Sequence, residues 1–173
     1  MVTDKLPVKS ENFIPARAVF DFLPLGDPVI ALILAAGYGT RLRPHSETRP
    51  KSLMEIEPGV TILEYQLKQL REAGLSSIYV ATRPELARLF SKYVDPSHIL
   101  PVRVSEGDGN LVTLVKAWKQ LEKRGVRGDL VVVMSDHIFE RSIVTRLLQA
   151  RDGRLLLCLD RRPRGSVVKE GLK

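Results

Sequence analysis

A glycine-rich loop followed by two cations is the strongest chemical signal in this chain of 173 residues. The segment Leu34-Ala35-Ala36-Gly37-Tyr38-Gly39-Thr40-Arg41-Leu42 precedes Pro50-Lys51. Small residues let a backbone approach a ligand closely, and glycines can turn N–H groups towards an anion. Arg41 and Lys51 converging on one phosphate chain would neutralise the charge that develops on a leaving pyrophosphate. The alternative interpretation is a turn with solvated basic residues, and the coincidence of strand, glycines and cations disfavours it.

Two familiar phosphate-binding patterns do not describe this loop. The dinucleotide fingerprint requires a third glycine at the position of Leu42. The Walker pattern requires Gly-Lys-Ser or Gly-Lys-Thr after four spacer residues, and the segment from Gly37 to Arg41 does not provide it. The sequence therefore predicts a phosphate-binding loop of another kind.

Asp136 is the second chemical signal. It follows the apolar run from Leu130 to Met134, so we expect it at the carboxyl end of a buried strand. A carboxylate in that position can hold Mg²⁺, which bridges phosphate oxygens. An aspartate after a strand is also often a helix N-cap or a turn residue, and that alternative stays open. His137 either contacts substrate or makes only a local structural hydrogen bond.

Short apolar runs alternate with amphipathic segments from Val29 onward, and these elements must position the candidate residues. The pattern predicts strands at 29–35, 77–81, 99–104, 129–134 and 155–159, and helices at 62–73, 84–93, about 111–125 and around 143–148. Such alternation indicates βαβ crossovers and a mainly parallel sheet. Because ligands bind beyond the carboxyl ends of such strands, the residues that matter most are 37–51, 82–83, 106–110, 136–137 and 160–162.

Composition limits the classes of function. Hydrophobic residues make up 44% and charged residues 27%, values typical of a globular domain. The apolar runs are too short to span a bilayer, so we expect no membrane segment. A single cysteine, Cys158, excludes an internal disulfide and fits a cytoplasmic location. The net charge of +7 fits phosphorylated substrates, and with four Tyr and one Trp we expect no nucleic-acid partner.

Domain organisation follows from the same pattern. Residues 1–28 are punctuated by prolines and are predicted to be an N-terminal extension, with a disordered tail as the alternative. Residues 29–173 are predicted to form a single domain.

The loop together with Pro50-Lys51 resembles the signature of nucleotidyltransferases that activate sugar-1-phosphates and related phosphate monoesters. Within that family, three segments are similar to CTP:inositol-1-phosphate cytidylyltransferases. They are residues 134–137, residues 106–110 and the segment Asp160-Arg161-Arg162-Pro163. The resemblance implies an α/β, Rossmann-like three-layer fold with a mainly parallel sheet. Members of this family are usually longer than this chain. We therefore expect a fold that is incomplete at its C-terminal side, without a second metal-binding aspartate or most of the acceptor pocket.

The resemblance also implies a reaction and a set of roles. A cytidylyl group would pass from CTP to inositol-1-phosphate with Mg²⁺, and pyrophosphate would leave. Arg41 and Lys51 would be catalytic, and Asp136 would bind the metal. The nucleotide would be bound by Ala35, Ala36, Gly37, Gly39, Thr40, Arg41, Lys51, Thr82, Glu106, Gly107 and Gly109.

Three alternatives stay open at this stage. The first is a sugar-1-phosphate or phosphocholine acceptor used with another nucleoside triphosphate. The second is a non-catalytic nucleotide-binding module without a complete acceptor site. The third concerns the oligomeric state: the protein could form a homodimer.

Overall fold

The computed structural model describes residues 28–40, 49–152 and 154–158. Its strands are β1 (Val29–Leu34), β2 (Glu55–Glu57), β3 (Val60–Thr61), β4 (Ile78–Thr82), β5 (Ile99–Pro101) and β6 (Asp129–Met134). Its α-helices are α1 (Ile62–Glu72), α2 (Ala87–Phe90), α3 (Asn110–Lys123) and α4 (Arg141–Ala150). Short 3₁₀ helices lie at Lys51–Leu53, Pro84–Leu86 and Pro96–His98.

Four strands form a parallel sheet in the order β5-β4-β1-β6. The chain moves outwards from β1 to β4 and β5, and then returns to place β6 on the other side of β1. At the end of β1, Leu34 pairs with Ala81 of β4 and with Met134 of β6. The strand order therefore reverses at β1, and the loops that follow all four strands meet at one edge. This reversal is where open α/β sheets bind ligands.

Alternate residues of β1 pack on opposite faces of the sheet. Ile30 and Leu32 belong to the core on the side of α3, which contributes Leu121. Ala31 and Ile33 belong to the core on the side of α1, α2 and α4. Because both faces are covered, β1 is apolar along its whole length, as parallel strands usually are. The predicted α/β fold with three layers and a mainly parallel sheet is confirmed.

Several predicted elements differ from the structure. The helix expected at 84–93 is a 3₁₀ turn followed by the four-residue α2. The strand predicted at 99–104 is β5, and it ends at Pro101. The chain leaves β4 after the Val102 N–H bonds to the Thr82 carbonyl at 2.7 Å. The antiparallel hairpin of β2 and β3 was not predicted.

The strand expected at 155–159 is wrong for the described part of it. Residues 155–158 are irregular, and Leu155 and Leu157 are 88% and 74% exposed. A strand needs a partner for its backbone groups, and in the described sheet β6 is the last strand on that side.

Across the described residues, no helix is long and apolar enough to cross a membrane.

Helix α1 begins with a reciprocal cap between Thr61 and Glu64. The Thr61 hydroxyl accepts a hydrogen bond from the Glu64 N–H at 3.2 Å, and the Glu64 carboxylate accepts one from the Thr61 N–H at 2.8 Å. The hydrogen bonds that the Glu64 carboxylate accepts from the Thr61 N–H and hydroxyl hold the pKa of Glu64 below its usual value. The helix ends before Gly74, whose φ of 92° is the left-handed conformation that often ends a helix at glycine.

Thr61→Ala should lower the free energy of unfolding by about 1 kcal/mol, because it removes the side-chain acceptor of this cap. Thr61→Ser keeps the hydroxyl and is the matched control. Chemical denaturation followed by circular dichroism checks the difference. Equal stability of the Ala and Ser variants would contradict a stabilising cap.

Candidate functional site

Lys51 and Asp136 meet at the carboxyl edge of the sheet although 85 residues separate them in the chain. The Lys51 Nζ donates to Asp136 Oδ2 at 3.0 Å, and the two side chains are 40% and 38% exposed. Lys51 opens the 3₁₀ helix Lys51–Leu53, which the buried Leu53 fixes in the core. An ion pair this exposed contributes at most about 1 kcal/mol, so it can open at little cost to receive a ligand.

Asp136 is held as a carboxylate by its neighbours. Partial burial raises its pKa, but hydrogen bonds from Lys51 and His137 outweigh burial and hold the pKa below its usual value. His137 Nδ1 lies 2.7 Å from Asp136 Oδ1, so the local hydrogen bond considered for this histidine is present. The N-cap interpretation of Asp136 is wrong, because α4 begins at Arg141 and its N-cap is Glu140.

The donor set around Asp136 fits a magnesium ion that is held mainly by phosphates and water. Among residues 28–40, 49–152 and 154–158, no cluster of three His, Cys, Asp or Glu side chains could form a metal cage. Mg²⁺ in phosphate-transfer sites commonly takes one or two carboxylates and completes its octahedron with substrate oxygens and water. One ionised, partly exposed carboxylate beside a cation meets that requirement.

The glycine loop leaves β1 at the centre of the same edge. Ala35 and Ala36 are buried, and the Ala35 N–H bonds to the Ala81 carbonyl at 2.7 Å. Gly37 is exposed with open space around it, and Gly39 adopts a φ of 64° that favours glycine. Thr40, the last described residue of the loop, is also exposed. The predicted role of Arg41 falls outside the described residues.

Tyr38 ties the glycine loop to the neighbouring strands. Its phenol donates to the Val104 carbonyl at 3.0 Å, and the Arg83 guanidinium lies 4.1 Å from the centre of its ring. Arg83 in turn bonds to Glu85 at 2.9 Å. These groups border a cavity of about 300 Å³ lined by Tyr38, Arg83, Pro84, Glu85, Arg103 and Val104.

Thr82 supports the loop from beneath. It is completely buried, and its hydroxyl lies 3.4 Å from the Ala35 carbonyl, so its side chain contacts the protein rather than solvent. The sequence predicts that Thr82 contacts a nucleotide. In this conformation no atom of its side chain is exposed to make that contact.

The loop beyond β5 carries the remaining predicted nucleotide contacts. Glu106, Gly107 and Gly109 are exposed at the same edge of the sheet. The Asp108 carboxylate closes the turn by accepting from the Ser105 N–H at 2.8 Å, and Gly107 has a φ of 98°. The structure thus places these residues beyond β5 and Lys51 with Asp136 beyond β6, on either side of the glycine loop.

Residues 31–167 match the family model described as the MobA-like NTP transferase domain. The chain belongs to this family. The bifunctional IPC transferase and DIPP synthase of Thermococcus kodakarensis is 31% identical over 84% of this chain and 31% of that protein. The protein of the same name from Rubrobacter xylanophilus is 36% identical over 77% of this chain and 29% of that protein. The chain therefore spans less than a third of the length of these relatives.

A shorter relative has a different name. The CTP:phosphoglutamine cytidylyltransferase of Campylobacter jejuni is 27% identical over 70% of this chain and 49% of that protein. This chain is therefore similar to proteins whose names differ.

Sequence reasoning missed one residue beneath the site of this MobA-like domain. Gln66 of α1 is completely buried and donates to the carbonyls of Met134 and His137, at either end of the turn that carries Asp136. The available signal was its position: a glutamine shares the apolar face of α1 with Leu63 and Leu70. Buried polar side chains usually have hydrogen-bond partners, so this position predicted a specific contact.

Proposed function

We propose that this domain transfers a cytidylyl group from CTP to inositol-1-phosphate with Mg²⁺ and releases pyrophosphate. One observation carries the proposal: Lys51 and Asp136 converge at 3.0 Å beside the glycine loop, where the strand order reverses. Membership of the MobA-like NTP transferase family supports nucleotidyl transfer. The name of the Campylobacter relative, a CTP:phosphoglutamine cytidylyltransferase, supports a cytidylyl donor.

The proposed reaction is an in-line displacement at phosphorus. An acceptor phosphate oxygen attacks the α-phosphorus of CTP, a new P–O bond forms, and the bond to pyrophosphate breaks. Bound Mg²⁺ would neutralise charge on the phosphate oxygens. No covalent enzyme intermediate is required, so the protein contributes positioning and charge neutralisation.

The phosphate-binding roles follow the loop and the two charged groups beside it. The N–H groups of Gly37, Gly39 and Thr40 would wrap the triphosphate, and Arg41 would bind its outer phosphates. Asp136 would hold the metal. Lys51, released from Asp136, would then stabilise the α-phosphate as negative charge builds up on it. Ligand binding would therefore open this ion pair and free the Lys51 ammonium group for catalysis.

The remaining roles concern the nucleoside. Ala35 and Ala36 would present backbone to the base and ribose, because their side chains are buried and too small to keep a ligand away. Glu106, Gly107 and Gly109 would border the base from the loop beyond β5. Thr82 would act from beneath the glycine loop through the Ala35 carbonyl.

A different acceptor is the second candidate. The Campylobacter relative is named for phosphoglutamine, so proteins similar to this chain do not share one acceptor. A sugar-1-phosphate or phosphocholine would use the same glycine loop, Lys51 and Asp136. A nucleotide-binding module without transfer activity would also retain these residues, and only catalysis separates it from the first two candidates.

The chain should bind CTP in a Mg²⁺-dependent manner and release pyrophosphate fastest with CTP and inositol-1-phosphate. Calorimetry with and without Mg²⁺ measures binding. A coupled pyrophosphate assay compares CTP, UTP, GTP and ATP, each with inositol-1-phosphate, glucose-1-phosphate and phosphocholine. A faster pair would reassign the substrates. Binding without any pyrophosphate release would favour the nucleotide-binding module, and absence of nucleotide binding would contradict the proposal.

A further inference from the structure

A buried amide connects α1 to the turn that presents Asp136. Gln66 Nε2 lies 2.8 Å from the Met134 carbonyl oxygen and 2.7 Å from the His137 carbonyl oxygen. These carbonyls stand at the two ends of residues 134–137, so a single amide group spans the turn. Because Gln66 is completely buried, it cannot itself contact a ligand at the sheet edge.

Few other hydrogen bonds hold this turn in the described structure. The Ser135 N–H bonds to the Leu34 carbonyl at 3.2 Å, and the His137 N–H bonds back to the Met134 carbonyl at 3.1 Å. The first bond continues the strand pairing, and the second is internal to the turn. Lys51 bonds to the Asp136 side chain, whereas the Gln66 amide bonds to the backbone at both ends of the turn and so joins its far end to α1.

Packing alone does not explain a glutamine at this position. Its Oε1 is buried and has no hydrogen-bond partner among the described residues. An acceptor taken out of water without a partner is unfavourable, and a methionine of similar shape would avoid that cost. The two bonds donated by Nε2 are the compensating gain, and both end on the Asp136 turn.

Gln69 provides an internal comparison one helical turn further along α1. Its Oε1 accepts from the Arg141 N–H at 2.7 Å, so it contacts the first residue of α4 rather than the Asp136 turn. The two glutamines thus lie on the same helix and bond to the same chain segment. Only Gln66 bonds to the residues that flank Asp136.

We propose that Gln66 is a positioning residue for nucleotidyl transfer, which fixes the turn so that the Asp136 carboxylate faces Lys51 and the glycine loop. The inference rests on the proposed function and deepens it. A carboxylate on a loosened turn would still be charged, but its distance from the metal and the phosphates would vary. Removing a group that orients a metal ligand typically costs about 10–100-fold in metal affinity.

Gln66→Met tests this role, with Gln69→Met as the matched control. CTP affinity is measured by calorimetry with Mg²⁺ and with EDTA. We expect Gln66→Met to weaken CTP binding with Mg²⁺ by about tenfold or more and to leave the affinity in EDTA unchanged. Gln69→Met should stay within about twofold of the wild type in both conditions, because Gln69 contacts Arg141 of α4 and not the Asp136 turn. Equal effects of the two variants would overturn the proposal.

A double-mutant cycle separates positioning from general loss of structure. If Gln66 acts through Asp136, Gln66→Met should have no further effect on CTP affinity in an Asp136→Asn background. An undiminished additional loss in that background would show a merely structural role. If Gln66→Met fails to unfold cooperatively, Gln66→Leu replaces it, because it also removes the two-donor amide without burying a charge.

Amide hydrogen exchange in the nucleotide-free chain keeps this inference distinct from the proposed function. Gln66→Met should speed exchange at residues 135–137, and Gln69→Met should leave these amides at the wild-type rate. Unchanged exchange in Gln66→Met would overturn the positioning role even if CTP binds. Absence of CTP binding by the wild type, with faster exchange in Gln66→Met, would overturn the proposed function and with it the catalytic purpose of the positioning.

Discussion

Asp136→Asn should abolish Mg²⁺-dependent CTP binding and pyrophosphate release while it leaves the fold intact. The substitution keeps the shape of the side chain and removes the charge that would hold the metal. Its structural cost is small, because the Lys51–Asp136 ion pair is more than a third exposed and contributes at most about 1 kcal/mol. The loss of a charged contact in the reacting site should cost at least about a hundredfold in turnover. Thermal unfolding and CTP titration, each with and without Mg²⁺, measure the two effects.

Asp95→Asn is the control for Asp136→Asn. Asp95 is also an exposed carboxylate with a pKa held below its usual value, here by the Ser97 side chain and backbone. It precedes the amino end of β5, at the opposite edge of the sheet from the glycine loop. The control should retain wild-type CTP binding. Full Mg²⁺-dependent activity in Asp136→Asn would make the metal assignment wrong.

The sheet was predictable because its strands are apolar on both faces. The run from Val29 to Leu34 has no polar residue, and burial on both sides explains that composition. The run from Leu155 to Leu157 looked similar but is not a strand. Its backbone has no neighbouring strand in the described structure, and pairing is a property of the whole sheet rather than of a local pattern.

The candidate site was predictable as two separate parts. The glycine loop and Asp136 each follow a strand, so their positions at the sheet edge followed from the local pattern. Their proximity did not, because it depends on β6 pairing with β1 rather than with β5. The contact between Gln66 and the Asp136 turn has the same origin: it joins residues 68 and 71 positions apart once β6 lies beside β1.

Lys51→Met should slow pyrophosphate release by about 30-fold to 1,000-fold, which corresponds to a rise of about 2–4 kcal/mol in the barrier. The ammonium group lies at the junction of the glycine loop and Asp136, and methionine keeps most of its length without its charge. Lys68→Met is the control, since it removes a charge from the exposed side of α1. Lys51→Arg keeps a cation and should fall between the two. Wild-type turnover in Lys51→Met, with unchanged thermal stability, would remove this residue from the mechanism.

The same substitution tests the ion pair itself, independently of any nucleotide. Burial raises the Asp136 pKa, while the hydrogen bond and charge of Lys51 lower it, so Lys51→Met should raise the pKa measured by carboxyl-carbon NMR titration. A lowered carboxyl pKa stabilises the folded protein above the unfolded-state pKa, and this contribution is lost as the pH falls through the folded-state pKa. The free energy of unfolding that is lost on acidification should therefore be smaller in Lys51→Met than in the wild type. If the Asp136 titration midpoint does not move, the contact between Lys51 and Asp136 is absent in solution, and Asp136 would already be open to a cation before any ligand arrives.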